Sequence, residues 1–226
     1  MSADRRSHDA AHFQRLYDAA ADPWRFRTSD YEQAKYRRTI AVLEGRRFRS
    51  GFEVGCSIGV LSRLLAAHCD ALLAADIVET PLTDARIHCA DQPWVSFARM
   101  QAPQEWPDAR FDLIVLSEVL YFLAPPDIAA LAERIRATLD ADGVVLLVNW
   151  RGRANDPCTG DEAADLFIAL TRPFLAVRTQ YREMRYRLDV LGGAVETTPV
   201  ELGIAKALPL PEVQEERLLV GFRAKP

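Results

Sequence analysis

The sequence lacks the cysteine and histidine spacing of a metal site. It has four cysteines in 226 residues, with no CxxC pair, and its four histidines show no metal-ligand spacing with one another. The scattered cysteines also argue against a disulfide framework, which indicates a reducing compartment. We therefore predict no metal and a cytoplasmic location.

Long apolar runs and a strong net charge are also absent. No stretch reaches the length of a membrane span, and the N-terminal segment has no apolar run of signal-peptide length. The formal net charge is -4, from 32 acidic and 28 basic residues, so no broad positive surface for nucleic acid is expected. We predict a soluble protein that acts on a small molecule, with no nucleic-acid or membrane partner. The sequence does not distinguish a monomer from a homodimer.

Between residues 51 and 150 the sequence alternates short apolar runs with helical patterns. This alternation is typical of a mainly parallel sheet with helices on both faces. The runs predicted as strands are 52–54, 71–75, 94–98, 111–116 and 144–148. A helical pattern follows Pro126, and Asp142-Gly143 is predicted to form a turn before the fifth strand.

The flanking segments are predicted to complete one domain. Ser29 with Glu32, and Thr159 with Glu162, have the spacing of capping boxes at helix starts. We predict an α/β fold with a Rossmann-like sheet, in which residues 1–48 form an N-terminal helical cap and residues 49–226 form the core. The segments 181–191 and 217–223 are predicted as strands, the C-terminal one antiparallel, with an irregular connection over 197–211.

A glycine loop joins the first predicted strand to the next helix, with the sequence Glu53-Val54-Gly55-Cys56-Ser57-Ile58-Gly59. Glycines here allow a nucleoside ligand to approach the backbone, and an acid about 20 residues on commonly binds the ribose hydroxyls. Asp76 stands at that distance, at the end of the second strand, and is followed by Ile77. The simpler alternative is that Gly55 and Gly59 only permit a tight turn.

The loop favours S-adenosylmethionine over a dinucleotide. The dinucleotide fingerprint is G-x-G-x-x-G, and Ser57 stands where that pattern needs its middle glycine. Glu53 suits the ammonium of a methionine moiety and would repel a pyrophosphate. Cys56 is predicted to pack beneath the loop and to contact the cofactor, together with Ser57 and Ile77.

Polar and aromatic side chains follow the fourth and fifth strands, at the edge of the sheet where ligands bind. Glu118 is our candidate catalytic residue, because a carboxylate there can orient an acceptor ammonium or take its proton. Tyr121 and Trp150 are candidates for substrate contact, with core packing as the alternative. Arg151 and Asp161 are further candidates, although each also has a purely structural interpretation.

On the predicted cap helix, Tyr31 and Lys35 lie one turn apart. Tyr31 is predicted to face the sulfonium through its ring, and Lys35 could hold a carboxylate. The alternative for both residues is a solvated helix face.

Several stretches resemble the nodulation protein S family of methyltransferases. They are Asp22-Pro23-Trp24, Tyr31-Glu32 with Lys35-Tyr36, 53–59, 116–121 and 159–162, and the resemblance covers most of residues 13–191. It implies a class I methyltransferase fold, S-adenosylmethionine as cofactor, and N-methylation of an amino sugar.

The resemblance also implies further site residues. Met100 and Gln101 would lie beside adenine, although family members often carry an acid at the position of Gln101. Asn149 would contact the substrate, at a position where a histidine is common in the family. The alternatives to N-methylation are O-methylation of a small metabolite, a non-catalytic cofactor-binding module and, with less support, an NAD-dependent oxidoreductase.

Overall fold

A computed structural model describes residues 6–43, 45–152 and 156–193. The predicted connection at 197–211 and the predicted strand at 217–223 lie outside these residues. Within them the chain forms one sheet whose strands are β1 Phe48–Val54, β2 Cys69–Asp76, β3 Val95–Arg99, β4 Phe111–Ser117, β5 Leu139–Trp150, β6 Ala176–Arg182 and β7 Tyr186–Gly192.

Helices cover both faces of the sheet. They are α1 Ala10–Ala19, α2 Asp30–Ala41, α3 Val60–Leu65, α4 Glu79–His88, α5 Pro125–Thr138 and α6 Gly160–Thr171. None of the helices in the described ranges is long and apolar enough to cross a bilayer. The start of α5 has proline in its first turn, where a missing N–H costs no hydrogen bond. At α6, Thr159 and Glu162 form the predicted capping box.

The strand order is β3-β2-β1-β4-β5-β7-β6, which confirms the predicted Rossmann-like sheet. The first five strands pair in parallel, and β7 pairs antiparallel with both β5 and β6. All five predicted core strands are present. The carboxyl ends of β1, β2, β4 and β5 therefore meet at one edge, where ligands of such sheets bind.

Two apolar layers hold the sheet between the helices. One contains Tyr17 and Tyr36 from α1 and α2 against alternate residues of β4, β5 and β7. The other contains Ile128 and Leu131 from α5 and Phe167 from α6 against the remaining residues of β4 and β5. The N-terminal helices thus share a hydrophobic core with the sheet.

Two predictions of local structure are wrong. Residues 181–191 form parts of two strands, because the chain turns between β6 and β7 at Glu183-Met184-Arg185, where Met184 and Arg185 are exposed. Asp142-Gly143 does not form a separate turn before the fifth strand, because β5 already begins at Leu139 and includes both residues. Its pairing with β4 shifts register between Phe111 and Leu113, so an irregular strand start replaces the expected turn.

Candidate active site

The glycine loop lies between β1 and α3 and has three residues with positive φ. Gly55, Ser57 and Gly59 have φ values of 78°, 50° and 77°. The N–H groups of Gly55 and Cys56 both donate to Ala75 O on β2, at 2.7 and 2.9 Å. Ser57 thus adopts the left-handed backbone that a glycine adopts at little cost. The loop keeps a sharp turn without the middle glycine of a dinucleotide site.

Close packing adds a second constraint at Gly55. A Cβ there would lie 2.6 Å from Val119 Cγ2, whereas a Cβ at Gly45, with φ 70°, would meet no atom of the described residues within 4 Å. We expect Gly45→Ala to lower the free energy of unfolding by about 1–2 kcal/mol through backbone strain alone. Gly55→Ala should cost about 1–3 kcal/mol more through overpacking. Urea denaturation measures both.

Adding Val119→Ala separates the two causes. In the Gly55→Ala background it should restore most of the additional loss in the free energy of unfolding, because it removes the Val119 atom that the new Cβ would meet. Equal losses in Gly45→Ala and Gly55→Ala would contradict the close packing of the loop against the exit of β4.

Asp76 ends β2 directly beside the loop. Its Oδ2 accepts the Ser57 N–H at 2.9 Å and its Oδ1 accepts the Val78 N–H at 3.0 Å. Burial raises the pKa of Asp76 to about 6, although the backbone N–H groups of Val78, Ser57 and Ile77 act in the opposite direction. Asp76 therefore lies against the loop, as predicted.

Glu53 lies beneath the loop and is 2% exposed. Its Oε2 accepts the Ser62 hydroxyl of α3 at 2.5 Å. Burial raises the pKa of Glu53 to about 7, with the Ser62 hydrogen bond lowering it and Asp76 raising it. No basic side chain of the described residues forms an ion pair with Glu53 or Asp76. Two buried acids thus flank the loop, and no cation from the described part of the chain pairs with either.

The thiol of Cys56 packs below the loop. It is buried with Ala74 and Leu82. Burial, followed by the charges of Asp76 and Glu53, raises its pKa well above the ordinary value. The group therefore stays a thiol at neutral pH, and this is consistent with packing.

Glu118 follows β4 with φ 60°, and its N–H donates to Val148 O at 2.7 Å. Three protein donors surround its carboxylate. Oε1 accepts Lys35 Nζ at 2.5 Å, and Oε2 accepts the Tyr121 hydroxyl at 2.9 Å and the Trp150 N–H at 2.8 Å. The carboxylate thus joins α2 to the exits of β4 and β5, and its action on an acceptor stays a prediction.

Lys35 is 2% exposed and contacts a second carboxylate, with its Nζ 2.8 Å from Glu32 Oε2. Burial alone would lower the pKa of Lys35, but the charges of Glu118 and Glu32 raise it above the ordinary value. The predicted carboxylate partner of Lys35 therefore belongs to the protein.

Tyr31 lies near this ion-pair network. Lys35 Nζ is 5.3 Å from the ring centroid, and the Arg185 guanidinium lies 3.8 Å from it. The Tyr31 hydroxyl is buried and has no hydrogen-bond partner within the described residues. Burial raises its pKa above the ordinary value. Two protein cations thus contact the ring that was predicted to face the sulfonium.

At the exit of β5, Asn149 is fully buried. Both polar atoms of its amide lack a hydrogen-bond partner among the residues that the structure describes. Trp150 is partly buried, and Gly152 lies so close that a Cβ there would overlap the indole ring. The Trp150 ring is held in place by close packing, whereas no described residue uses the hydrogen-bonding groups of the Asn149 amide.

Arg151 and Asp161, two further candidates for substrate contact, bind each other. Arg151 Nε donates to Asp161 Oδ2 at 2.9 Å, and Arg151 Nη1 donates to Glu183 O at 2.6 Å. Asp161 Oδ1 also lies 3.7 Å from the buried guanidinium of Arg187. The two residues connect the loop after β5 to α6 and to the β6–β7 turn.

Met100 and Gln101 follow β3 next to the acid of β2. The Met100 N–H donates to Asp76 O at 2.8 Å, and the Gln101 N–H donates to Glu105 Oε2 at 2.6 Å. The structure therefore brings Met100 and Asp76 together, while Glu105 supplies an acid beside Gln101 from four residues further along the chain.

Comparison with known proteins assigns the family. The family model described as nodulation protein S (NodS) matches residues 8–171. The chain belongs to the nodulation protein S family. It is 32% identical to nodulation protein S of Bradyrhizobium diazoefficiens over 108 residues, which are 46% of this chain and 51% of that protein. The matched segment thus spans about half the length of the curated relatives.

Solved structures share the fold of this family member. The N-methyltransferase NodS of Bradyrhizobium japonicum WM9, in complex with S-adenosylhomocysteine, has a TM-score of 0.72 and 21% identity, with 81% of this chain and 97% of that chain covered. A candidate methyltransferase from Pseudomonas syringae has a TM-score of 0.62 and 33% identity, with 72% and 98% covered. The class I methyltransferase fold is confirmed.

Sequence reasoning missed one side chain at the loop of this NodS-family chain. The buried Tyr17 of α1 donates its hydroxyl to Ser57 Oγ at 2.6 Å and packs edge-on against Trp24. Burial, and then the charge of Asp76, raises its pKa above the ordinary value. The available signal was the one-turn spacing of Phe13 and Tyr17 in a helix capped by Asp9.

Proposed function

We propose that this chain is an S-adenosylmethionine-dependent methyltransferase that methylates a nitrogen of a small-molecule acceptor, an amino sugar or a related amine. The observation that carries the proposal is the pair of buried acids, Glu53 and Asp76, flanking the glycine loop without a basic partner among the described residues. Their raised pKa values reflect the cost of ionising acids in a buried site.

The charge of this site favours one class of donor. A cationic ligand would stabilise both carboxylates, and S-adenosylmethionine carries a sulfonium and an ammonium. A pyrophosphate would add negative charge beside Glu53 and Asp76, which opposes binding of a dinucleotide. The S-adenosylhomocysteine bound to the solved NodS relative supports the same donor.

The residues of the loop and its neighbours fit this cofactor. Asp76 would bind the ribose hydroxyls and Glu53 the ammonium, while Met100 and Gln101 would lie beside adenine. A Cβ would collide with Val119 at Gly55 and with Ala85 at Gly59, so glycine keeps the loop packed closely on the protein side. A glycine loop at the end of a strand also lets a ligand approach the backbone. When bound, the cofactor supplies an electrophilic methyl group.

The remaining loop residues would act through shape. Cys56, Ser57 and Ile77 would form the wall beneath the nucleoside, and Tyr17 would fix the orientation of Ser57 through its hydroxyl. Tyr31 would close the site from the cap helix, since its buried hydroxyl has no hydrogen-bond partner among the described residues and its ring lies beside Lys35.

Nitrogen as the methylated atom is supported by the relatives, since the solved NodS is an N-methyltransferase. Tyr121 and Trp150 would form an aromatic wall for the acceptor at the carboxyl edge. Asn149 would offer its unused amide to an acceptor hydroxyl or amide. Arg151 and Asp161 would shape the outer rim as an ion pair, and Glu118 would orient the acceptor from beneath.

Incubation of the full chain with methyl-labelled S-adenosylmethionine and a panel of amino sugars and small amines tests the proposal. We expect one acceptor class to gain the mass of a single methyl, with the label on nitrogen. A matched panel of alcohols and phenols serves as the control. Label on oxygen would contradict nitrogen as the methylated atom. Absence of transfer to every compound in both panels would contradict the proposed activity.

A further inference from the structure

The N-terminal segment before α1 reaches the loop that follows β5. His8 Nε2 lies 2.9 Å from Asp156 Oδ1, and the two side chains are 20% and 13% exposed. The residues are 148 positions apart in the sequence. A partly buried histidine held by a carboxylate is the usual arrangement of a group that accepts a proton.

Backbone hydrogen bonds connect this pair to the acceptor side of the sheet, which we define as the exits of β4 and β5 with Tyr121 and Trp150. The His8 N–H donates to Phe122 O, in the turn after β4, and the Cys158 N–H donates to Tyr121 O. Asp156 therefore lies in the segment that packs against the Tyr121 turn. Its charge contributes to the raised pKa of Tyr121, after burial and Glu118.

Glu118 and Tyr121, two predicted site residues at the exit of β4, are unsuited to take a proton. The Glu118 carboxylate already accepts from Lys35, Tyr121 and Trp150. The phenol of Tyr121 has a pKa well above its ordinary value because it is buried, so it stays protonated at neutral pH. The second ring nitrogen of His8, Nδ1, has no hydrogen-bond partner within the described ranges.

We propose that His8, held by Asp156, takes the proton of the acceptor amine; this inference rests on the proposed function. An ammonium acceptor has no lone pair and cannot attack a methyl group. Its proton passes to Nδ1 of His8 while Nε2–H donates to Asp156. The freed lone pair then forms the N–C bond as the C–S bond breaks, and the electron pair of that bond stays on sulfur. The imidazolium returns its proton to solvent.

Charged and titratable groups around His8 come from several elements. His12 of α1 stacks on the ring at a centroid distance of 3.9 Å, and burial together with His8 lowers the pKa of His12. Asp127 of α5 accepts the Ser7 hydroxyl next to His8. Among the described residues, the carboxylate in direct contact with the His8 ring is that of Asp156.

The test compares His8→Gln, His8→Ala and Asp156→Asn with the matched control His68→Gln, which removes a partly exposed histidine whose ring contacts Arg46 O. S-adenosylhomocysteine affinity is measured by calorimetry, and methyl transfer to the best amine of the panel is measured near pH 7 and near pH 9.5. An α-amino-type acceptor ionises near pH 8, so it arrives without its extra proton at the higher pH.

We expect unchanged S-adenosylhomocysteine affinity in all variants and a fall in kcat of about 100-fold near pH 7 for His8→Gln. The decrease in kcat should be smaller near pH 9.5. Asp156→Asn should lose less activity than His8→Gln, with the same dependence on pH. Added imidazole should partly restore the kcat of His8→Ala. His68→Gln should match the wild type.

A loss in His8→Gln that is equal at both pH values, together with no rescue of His8→Ala by imidazole, would mean that the pair only anchors the chain, and would overturn the inference. So would a His8→Gln variant as active as the wild type. Absence of transfer by the wild-type chain would overturn the proposed function first, and this inference with it.

Discussion

Lys35→Met is expected to lower the free energy of unfolding by about 3–5 kcal/mol, because it leaves two carboxylates buried without their shared cation. Lys35 Nζ lies 2.5 Å from Glu118 and 2.8 Å from Glu32, and the ammonium is 2% exposed. Methionine keeps the apolar length of the side chain, so loss of packing contributes little. Chemical denaturation of both proteins measures the difference.

A matched control is Arg47→Met. Arg47 pairs with Asp70 at 2.5 Å, but both side chains are more than half exposed. An ion pair in water contributes about 0–1 kcal/mol, so this variant should change stability little. The double variant Lys35→Met with Glu118→Gln should be more stable than Lys35→Met alone, since it removes one unpaired charge. A loss below about 1 kcal/mol in Lys35→Met would contradict a role of this ion pair in holding α2 on the sheet.

Binding of S-adenosylmethionine is expected to strengthen about 10- to 100-fold as the pH rises from about 5.5 to about 8, since a hydrogen bond to a charged group contributes about 1.5–3 kcal/mol. Burial holds the pKa of Glu53 at about 7 and that of Asp76 at about 6 in the ligand-free protein. A bound cation favours the carboxylate forms, so binding releases protons over this range. Calorimetry in buffers of different ionisation enthalpy measures the released protons.

Glu53→Gln is the matched variant. It keeps the size of the side chain and removes the titrating group, so most of the pH dependence near pH 7 should disappear together with part of the affinity. The same substitution should also change the stability of the ligand-free protein. Because the pKa of Glu53 is raised in the folded protein, the free energy of unfolding falls as the pH rises from the ordinary pKa of 4.5 through about 7. The variant has no titrating group at this position, so this fall should be absent. An unaltered pH profile in Glu53→Gln would contradict a contact between Glu53 and the ammonium.

Local signals were sufficient for most of the fold. The five parallel strands were predictable because buried strands are continuous apolar runs between helical patterns. The β6–β7 hairpin was not predictable as two strands, because its turn contains neither glycine nor proline. The start of β5 was also misjudged, since Asp142-Gly143 has the composition of a turn but pairs irregularly with β4.

Local signals also identified the loop and its acids. Gly55 and Gly59 lie in the turn from β1 to α3 where the sequence placed them, and Asp76 ends β2 beside them. The positive φ of Ser57 could be seen only in the structure, since a serine adopts this backbone conformation because of the hydrogen bonds that hold the loop. The Ser57 N–H donates to Asp76, and its hydroxyl accepts from Tyr17.

The sequence by itself determined the five parallel strands and the helices between them, the glycine loop and the position of Asp76, because each depends on residues close together in the chain. Only the tertiary structure decided which distant side chains meet. Lys35 binds Glu118 across 83 positions, and His8 binds Asp156 across 148. Such pairs form because the N-terminal helices pack over the sheet. Hydrophobic burial drives that packing, and because it is non-directional it does not specify which polar side chains will become partners.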